Sequence, residues 1–374
     1  MSPLAKLSSF LTSLWRGGHA HDVAFPVALG RSLNLYLRQD FSVKEILGFA
    51  LYVPGVRVAY PVLISKEASL RKLSQINSTR HLAETEAKDV FHLICARNAL
   101  PVPEVIGWTC GGEAFDDAGG AFADTSSWIA YLADRLPKDF IVKDRAGAYG
   151  SGFRAFCRDG AAFVSVDDGR RLELASLATF LRKSDLIIQQ RLFDDPRLEQ
   201  LSGRRGLQTA RINTLLHEDG SVEVLFWMLK ILGGQTTLDN FSMGSTGNLI
   251  GIGDRRDSGV LRAAVTLHSS GSGLVRIANH PATGLPFDGF RIPWWSEAVE
   301  LVRRAQQCFP ALPALGWDVA LTAAGPRIIE ANAQWDPPNY APELLSPGHW
   351  RAIFGESGDI KCKGVPQHSN GTLQ

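Results

Sequence analysis

A pair of short apolar runs near the C-terminal end of the chain most constrains how it can fold. The runs cover residues 316–321 (GWDVAL) and 327–332 (RIIEAN), and a short turn separates them, a pattern that predicts a β-hairpin. If the turn centres on Ala324, Asp318 lies directly opposite Glu330, with the two Cβ atoms about 5 Å apart. The sequence therefore predicts two carboxylates facing each other across a strand pair.

This predicted hairpin gathers three oxygen-bearing side chains on one patch. Asn332 is two positions from Glu330 and lies on the same face of its strand, so both join Asp318. Like charges directly opposite each other destabilise a sheet, and we therefore expect a positive group between the carboxylates. Hard oxygen ligands suit Mg²⁺ whose shell is completed by water and phosphate oxygens. The alternative is a solvent-facing strand pair with incidental acids, which the apolar neighbours on both strands argue against.

A glycine-rich loop follows a second apolar strand. Lys143 ends the strand at 140–143, and residues 147–152 (GAYGSG) contain three glycines. Glycines let backbone N–H groups approach phosphate oxygens, and a lysine adds a point charge for them. A strand at 153–157, rather than a helix, comes after the loop, which differs from the Walker arrangement. We therefore predict a flexible hairpin lid over phosphates, with an ordinary structural hairpin as the alternative.

Three further segments bear on a site. Arg211 lies among apolar residues inside a predicted strand and needs an anionic partner, either a phosphate or a structural salt bridge. Residues 186–192 form a predicted buried strand that leaves into a polar linker. A helix is predicted from about Arg80 to Asn98, because its apolar positions recur at helical spacing.

The composition excludes several classes of protein. The 374 residues carry 39 Lys and Arg against 38 Asp and Glu, a net charge of +1, which argues against a protein that coats nucleic acid or an anionic membrane. None of the five cysteines forms a CxxC pair, which argues against a zinc ribbon or a disulfide scaffold and favours a reducing compartment. No stretch reaches the roughly 20 uninterrupted apolar residues that a membrane span needs. We therefore expect a cytoplasmic protein with no nucleic-acid partner and no transmembrane segment.

These pieces, in this order, resemble the ATP-grasp superfamily, and its sugar-transfer-associated group most closely. The similarity covers about Thr79 to Pro338, and only the ordered set of short motifs is specific. Four motifs carry it: TARI at 209–212, LDN at 238–240, GWDVA at 316–320 and IEAN at 329–332.

The resemblance implies an α+β fold in which two α+β subdomains clasp ATP, preceded by a mixed, mainly helical N-terminal segment. That segment does not resemble the α/β domain that usually precedes an ATP-grasp body. The predicted boundaries are 1–78 for the N-terminal segment, 79–190 for the N-terminal lobe with the glycine-rich lid, 191–355 for the C-terminal lobe with the metal-binding hairpin, and 356–374 for a loose tail.

The resemblance also implies roles for individual residues. Lys88 and Lys143 match two phosphate-contacting lysines, of which the second touches the α-phosphate and the adenine side. Arg211 matches a basic residue near the γ-phosphate and the acyl phosphate. The family's hinge usually carries Glu where this chain has Gln190. The remaining matches are the glycine loop over the β- and γ-phosphates (Gly147, Tyr149, Gly150, Ser151 and Gly152), the adenine-binding hinge (Gln189, Gln190, Arg191 and Leu192) and the Mg²⁺ ligands (Asp318, Glu330 and Asn332). Candidates for the ribose-binding acid are Asp194, Asp195 and Glu199.

The family's chemistry implies an ADP-forming, magnesium-dependent ligase that activates a carboxylate as an acyl phosphate for attack by an amine. Its cofactors would be ATP and one or two Mg²⁺, with Mn²⁺ as a substitute. Its substrates would be a small carboxylate and a small amine, with sugar-linked compounds among the candidates, in glycan, cell-surface or secondary-metabolite biosynthesis. The oligomeric state stays open.

Two alternatives to a ligase remain at this stage. The first is an ATP-dependent phosphotransferase acting on a sugar hydroxyl, which needs a base near the acceptor; the candidates are His217, His268 and His280. The second is a non-catalytic nucleotide-binding subunit of a glycan-assembly system, which would bind nucleotide without turnover.

Overall fold

A computed structural model describes residues 2–54, 63–146, 152–234, 238–254 and 258–354. Within these ranges the chain forms an N-terminal group of helices, then a seven-stranded sheet, then a second seven-stranded sheet. This arrangement confirms the predicted α+β class and the mainly helical N-terminal segment. Among the described residues, no helix combines the length and hydropathy that crossing a membrane requires.

The elements are labelled in chain order. The helices are α1 (Pro3–Ala20), α2 (Phe25–Arg38), α3 (Val43–Gly48), α4 (Lys66–Ile76), α5 (Ala83–Glu86), α6 (Lys88–Arg97), α7 (Thr125–Arg135), α8 (Leu174–Leu181), α9 (Pro196–Ser202), α10 (Trp295–Gln307) and α11 (Pro347–Phe354). The strands are β1 (Val105–Cys110), β2 (Glu113–Asp116), β3 (Asp139–Asp144), β4 (Arg154–Asp159), β5 (Ala162–Ser165), β6 (Arg171–Glu173), β7 (Leu186–Gln190), β8 (Thr209–Leu216), β9 (Val222–Ile231), β10 (Leu249–Gly253), β11 (Leu261–Leu267), β12 (Leu274–Ile277), β13 (Ala314–Thr322) and β14 (Gly325–Asn332).

The first three helices share a small apolar core that includes Leu14, Leu35 and Tyr52. Ser2 caps α1 by accepting a hydrogen bond from the Ala5 amide at 3.3 Å, a role that serine fills well. The Tyr52 hydroxyl hydrogen-bonds to the Oγ of a serine at position 272, 2.8 Å away in the turn between β11 and β12. The N-terminal helices are thereby fastened to the second sheet.

The predicted continuous helix from Arg80 to Asn98 is wrong in its middle. Ala87 has extended dihedrals (φ −86°, ψ 108°) and forms an isolated β-bridge with Ala146, while the Lys88 amide donates to the Arg145 carbonyl at 3.1 Å. The backbone thus leaves the helix for one residue to pair with the chain after β3. As a result, Lys88 stands at the start of α6, beside the end of the strand that carries Lys143.

The first sheet has the order β2-β1-β7-β3-β4-β5-β6, and all its pairs are antiparallel. Phe140, Phe156 and Phe163 belong to one buried cluster with Trp128 of α7, so one face of the sheet buries an aromatic core. Lys143 lies on β3 opposite Ile187 of β7. The sheet therefore places this lysine in its central strands, where its side chain is only 9% exposed.

The second sheet has the order β12-β11-β10-β9-β8-β13-β14. Along β13, Leu315, Trp317 and Val319 belong to the core that packs on α10. Because successive side chains of a strand alternate between faces, Gly316 and Asp318 lie on the face away from α10. The alternation that builds the core therefore also sets the acid apart from it.

The predicted lobe boundary after residue 190 coincides with the end of β7, the last strand of the first sheet. The division into domains stays a prediction. The predicted tail, 356–374, lies outside the described residues.

Candidate functional site

The hairpin of β13 and β14 brings Asp318 directly opposite Glu330, which confirms that prediction but by a different geometry. Thr322 pairs with Gly325, so the turn is centred between Ala323 and Ala324, half a residue before the predicted centre at Ala324. A β-bulge then shifts the register, because Asp318 pairs with Glu330 while the next residue pairs with position 328. The extra residue on β14, Ile329, restores the opposition of the two acids.

Two cations neutralise Asp318. It lies opposite Arg211 of β8, and the guanidinium binds the carboxylate with two hydrogen bonds, Nε–Oδ1 at 2.5 Å and Nη2–Oδ2 at 2.9 Å. Lys230 of β9 adds a third contact, Nζ–Oδ2 at 2.9 Å. The positive group that the paired acids call for is therefore supplied by Arg211 and Lys230.

Burial and charge shift the pKa values of this cluster in opposite directions. Burial alone would raise the pKa of Asp318, but Arg211 and Lys230 hold it well below its usual range. Burial raises the pKa of Glu330, and the nearby Asp318 charge raises it further. The two acids lie opposite each other in the hairpin, so a proton or a cation shared between them lowers their mutual repulsion.

The pKa values of Lys143 and Lys88 both depend on the charge of Glu330. Burial lowers the pKa of Lys143 to about 8, although the charge of Glu330 opposes the shift. Burial also lowers the pKa of Lys88, again opposed by Glu330. The positive charge of Lys88 lowers the pKa of Lys143 further. Lys143 of the first sheet and Lys88 of α6 therefore share Glu330 of the second sheet as a neighbouring charge.

The predicted Mg²⁺ ligands form a mixed donor set. Among the described residues, no group of three or more His, Cys, Asp or Glu side chains is arranged to hold a metal ion. The set here is two carboxylates, Asp318 and Glu330, and the amide of Asn332, whose nitrogen donates to the Gly316 carbonyl at 3.3 Å. That bond uses the amide nitrogen and leaves the oxygen as the donor for a cation. Two opposed carboxylates, of which Asp318 is buried and Glu330 half-buried, fit Mg²⁺ together with an amide oxygen when phosphate oxygens and water complete the shell.

The predicted glycine loop lies mostly outside the described residues, which include none of Gly147, Tyr149, Gly150 and Ser151. Gly152 is described and has a φ of +67°. A Cβ at this position would lie 2.0 Å from an oxygen of the Asp144 carboxylate. Only glycine therefore fits at this end of the loop.

The predicted hinge connects the two sheets. Gln189 and Gln190 end β7, and the Gln190 amide donates to the Glu104 carbonyl at 2.8 Å. The Arg191 guanidinium lies 5.0 Å from the centre of the Phe193 ring. Leu192 follows in the linker toward α9. The Oε1 of Gln189 is buried with no hydrogen-bond partner in the described part of the chain, which leaves an acceptor for a ligand.

Two of the candidate ribose-binding acids have structural roles. Asp194 is buried and accepts hydrogen bonds from the Gln208 amide at 2.8 Å and its Nε2 at 2.7 Å. Asp195 caps α9, accepting from the Arg197 amide at 3.0 Å. Glu199 lies on α9 itself, half-buried. The assignment of a ribose ligand among them stays a prediction.

The three histidines considered as bases each make local contacts. The His280 ring is buried and bonds through Nε2 to the Leu232 carbonyl at 3.1 Å. His268 contacts the hydroxyl of Ser270 through Nδ1 at 2.8 Å. His217 lies 3.3 Å from the Glu223 carboxylate. These contacts organise turns and strand ends.

Sequence reasoning missed Lys230 and Asn213 on the acid-bearing face, and it identified Asp239 only as part of the LDN motif. The sequence contained one indication of Lys230, because it is the single lysine within the apolar run 222–232. Asp239 accepts from the Thr209 amide at 2.9 Å and from its hydroxyl at 2.5 Å. Asn213 is 1% exposed, and within the described residues neither of its amide atoms has a partner. The face is therefore more polar than the motifs alone indicate.

Comparison with known proteins gives a family match. A model of the sugar-transfer associated ATP-grasp family matches residues 68–339. No curated protein matches the chain.

Solved structures show weaker similarity. The ADP complex of N5-carboxyaminoimidazole ribonucleotide synthetase is 13% identical, with a TM-score of 0.40 over 73% of this chain and 52% of its own. A biotin carboxylase β-γ-ATP complex from Campylobacter jejuni is 10% identical, with a TM-score of 0.41 over 73% of this chain and 47% of its own. D-alanyl-alanine synthetase A from Vibrio cholerae is 10% identical, with a TM-score of 0.37 over 72% and 60%. The chain thus spans about half the length of the first of these proteins.

The family model covers well over half of the chain and includes both seven-stranded sheets. It also includes the strands that carry Lys143, Arg211, Asp318 and Glu330. The chain belongs to the sugar-transfer associated ATP-grasp family and has the ATP-grasp fold.

Proposed function

We propose that the protein is an ATP- and magnesium-dependent ligase that activates a carboxylate as an acyl phosphate for attack by an amine, releasing ADP and phosphate. The observation that carries the proposal is the meeting of the buried Lys143 and the half-buried Lys88 with Glu330, which lies opposite Asp318 in the hairpin. Phosphoryl transfer depends mostly on positioning and charge neutralisation. This set of charges serves both needs.

The first lobe would bind the nucleotide. Lys88 and Lys143 would bind phosphate oxygens, and the loop 147–152 would cover them. The hinge at 189–192 offers the buried Oε1 of Gln189 and backbone groups to the adenine edge. Asp318, Glu330 and Asn332 would hold one or two Mg²⁺, or Mn²⁺, and the bound metal would neutralise phosphate charge.

The second lobe would stabilise the transferred group. Arg211 and Lys230 lie on the strands next to the acids and would face the negative charge that spreads over the phosphoryl oxygens. A substrate carboxylate is already ionised at neutral pH, so forming the acyl phosphate requires no general base. The amine then attacks the acyl carbon and displaces phosphate, while the closed loop excludes the water that would hydrolyse the intermediate.

The substrates we propose are a small carboxylate and a small amine, with sugar-linked compounds tested among them, and the compartment we propose is the cytoplasm. The family's association with sugar transfer supports including amino sugars and uronic acids. The lack of any CxxC pair supports a reducing compartment.

The test is ADP and phosphate release by the full chain across a panel of amino acids, amino sugars and uronic acids, with mass spectrometry of the product. We expect an amide together with equal amounts of ADP and phosphate. A phosphorylated product without free phosphate would replace the ligase with a phosphotransferase. Nucleotide binding without turnover on any pair would favour a non-catalytic subunit.

A matched pair of variants tests the metal ligands. Glu330→Gln keeps the shape of the side chain, and we expect it to lower turnover of Mg·ATP at least a hundredfold, a loss typical of a group that neutralises transferred phosphate. Glu343→Gln removes an exposed carboxylate paired with Arg276 and should leave turnover unchanged. Near-normal turnover in Glu330→Gln would contradict the metal assignment.

A further inference from the structure

Exposed apolar side chains are concentrated in the N-terminal helices. The described chain has eleven large apolar residues that are exposed, and eight of them lie between Leu4 and Val43. The remaining three are scattered over the two lobes. Single exposed apolar residues are normal, but a cluster marks an interaction surface.

On α1, the exposed apolar residues form a stripe. Leu4, Leu7, Leu11 and Trp15 fall within an arc of about 80° at 100° per residue. Leu4 is 79% exposed and Trp15 is 58% exposed, while Leu11 is partly buried. The fully buried Leu14 lies at the edge of this arc and turns into the helical core. The helix therefore has one apolar edge for its own core and a second that faces solvent.

The neighbouring helix α2 has the same division. Its buried residues are Ala28, Ser32 and Leu35, which belong to one side. Tyr36 and Leu37 are 54% and 70% exposed; helical geometry places Leu37 and Leu33 on the other side of the helix and Tyr36 at the boundary between the two sides. Both helices therefore present apolar and aromatic side chains that the fold does not cover.

The charges of these helices have one sign. The 32 residues of α1 and α2 include Lys6, Arg16, Arg31 and Arg38 and contain no Asp or Glu. The whole chain has a net charge of only +1, so this basic character is local. Two copies of such a surface would repel each other, which argues against self-association through it.

We propose that α1 and α2 bind the surface of an anionic lipid bilayer, with the apolar stripes at the headgroup boundary and Lys6, Arg16 and Arg38 on phosphate groups. Basic helices with leucine and aromatic residues on one face take this position in membranes, and Trp and Tyr prefer the interfacial depth. Tyr52 and His21 both hydrogen-bond to Ser272 of the second lobe. The helices would therefore hold the whole body at the membrane surface.

The test is co-sedimentation of the full chain with vesicles of phosphatidylcholine alone or with about one third phosphatidylglycerol. We expect binding to the anionic vesicles that weakens with salt, because each cation near the surface contributes about fivefold to the partition coefficient. The double variant Lys6→Gln/Arg38→Gln should then bind about 25-fold more weakly. The control Arg303→Gln/Arg304→Gln removes two exposed arginines of α10 and should bind like the unchanged chain.

A second variant tests the apolar stripes. Leu4→Ser/Trp15→Ser/Leu37→Ser changes only exposed positions, and we expect at least tenfold weaker binding with an unchanged circular dichroism spectrum. Val166→Ser, which removes an apolar side chain that is 39% exposed on the first lobe, is the control. Equal binding to both vesicle types, or none to either, would overturn the proposal. A dimer seen by sedimentation velocity that the triple variant dissociates, without vesicle binding, would assign the stripes to a second copy instead.

Discussion

The two lobes hold their buried cations in opposite ways. In the second lobe, burial would lower the pKa of Lys230, but Asp318 raises it above its ordinary value. In the first lobe, burial lowers the pKa of Lys143 to about 8, although Glu330 lies near it. Cations at similar depth are therefore compensated by a carboxylate on one side of the site and incompletely compensated on the other.

This difference indicates which side of the site is formed before a ligand arrives. Arg211, Lys230 and Asp318 satisfy one another through three short contacts, so this part of the second lobe is assembled without substrate. Lys143 gains most from an arriving anion, because the anion would favour its charged form. The contrast supports nucleotide phosphates at the first lobe and a pre-formed charge cluster at the second.

The largest effect we predict comes from removing the carboxylate that neutralises the two cations of the second lobe. Asp318→Asn leaves Arg211 and Lys230 buried without their carboxylate, and we expect the free energy of unfolding to fall by about 3–5 kcal/mol. Chemical denaturation measures it. The control is Asp40→Asn, since Asp40 pairs with Arg71 at 2.6 Å at the surface and should change stability by about 0–1 kcal/mol. A loss of stability for Asp318→Asn as small as the control's would show that Asp318 does not stabilise the charges of Arg211 and Lys230.

The next effect concerns the first lobe. Because the pKa of Lys143 is about 8, raising the pH from 7 to 9 neutralises this lysine, and we expect affinity for ATP to fall by about tenfold. Calorimetric titration at several pH values measures the dissociation constant. Lys143→Arg is the matched control, because a guanidinium stays charged over this range, and its affinity should be flat with pH. A fall of equal size in both proteins would assign the pH dependence to another group.

Local patterns predicted much of this site, and long-range contacts account for most of what they missed. The opposition of Asp318 and Glu330 followed from a hairpin of adjacent strands, where spacing determines pairing. The bulge at Ile329 could not be predicted from the spacing. The tighter turn alone would place Asp318 opposite position 329, and the extra residue in β14 restores Glu330 as its partner, so the two deviations from the predicted hairpin cancel. Lys230 was missed because its partner, Asp318, is 88 positions away.

The broken helix at residue 87 has the same physical origin. Helical periodicity is a local signal, and it extends without interruption from Arg80 to Asn98. The bridge that breaks the helix joins Ala87 to Ala146, a residue from another part of the chain. The N-terminal helices contain no sequence motif. Their exposed apolar residues could be recognised only once the structure showed which side of each helix is buried.

The last prediction sharpens the comparison at the edge of the first lobe. Gly152→Ala forces a methyl group toward the Asp144 carboxylate, 2.0 Å from the new Cβ, in a backbone with φ of +67°. We expect a loss of about 1–3 kcal/mol in the free energy of unfolding, from backbone strain and displacement of Asp144. Gly160→Ala is the matched control, with φ of +62° and open space around its Cβ, so it should show the backbone strain alone, about 1 kcal/mol. Because Asp144 helps to keep Lys88 charged, only Gly152→Ala should also weaken ATP binding. Equal stability and equal ATP affinity in the two variants would mean that the contact between Gly152 and Asp144 contributes nothing to the nucleotide side of the site.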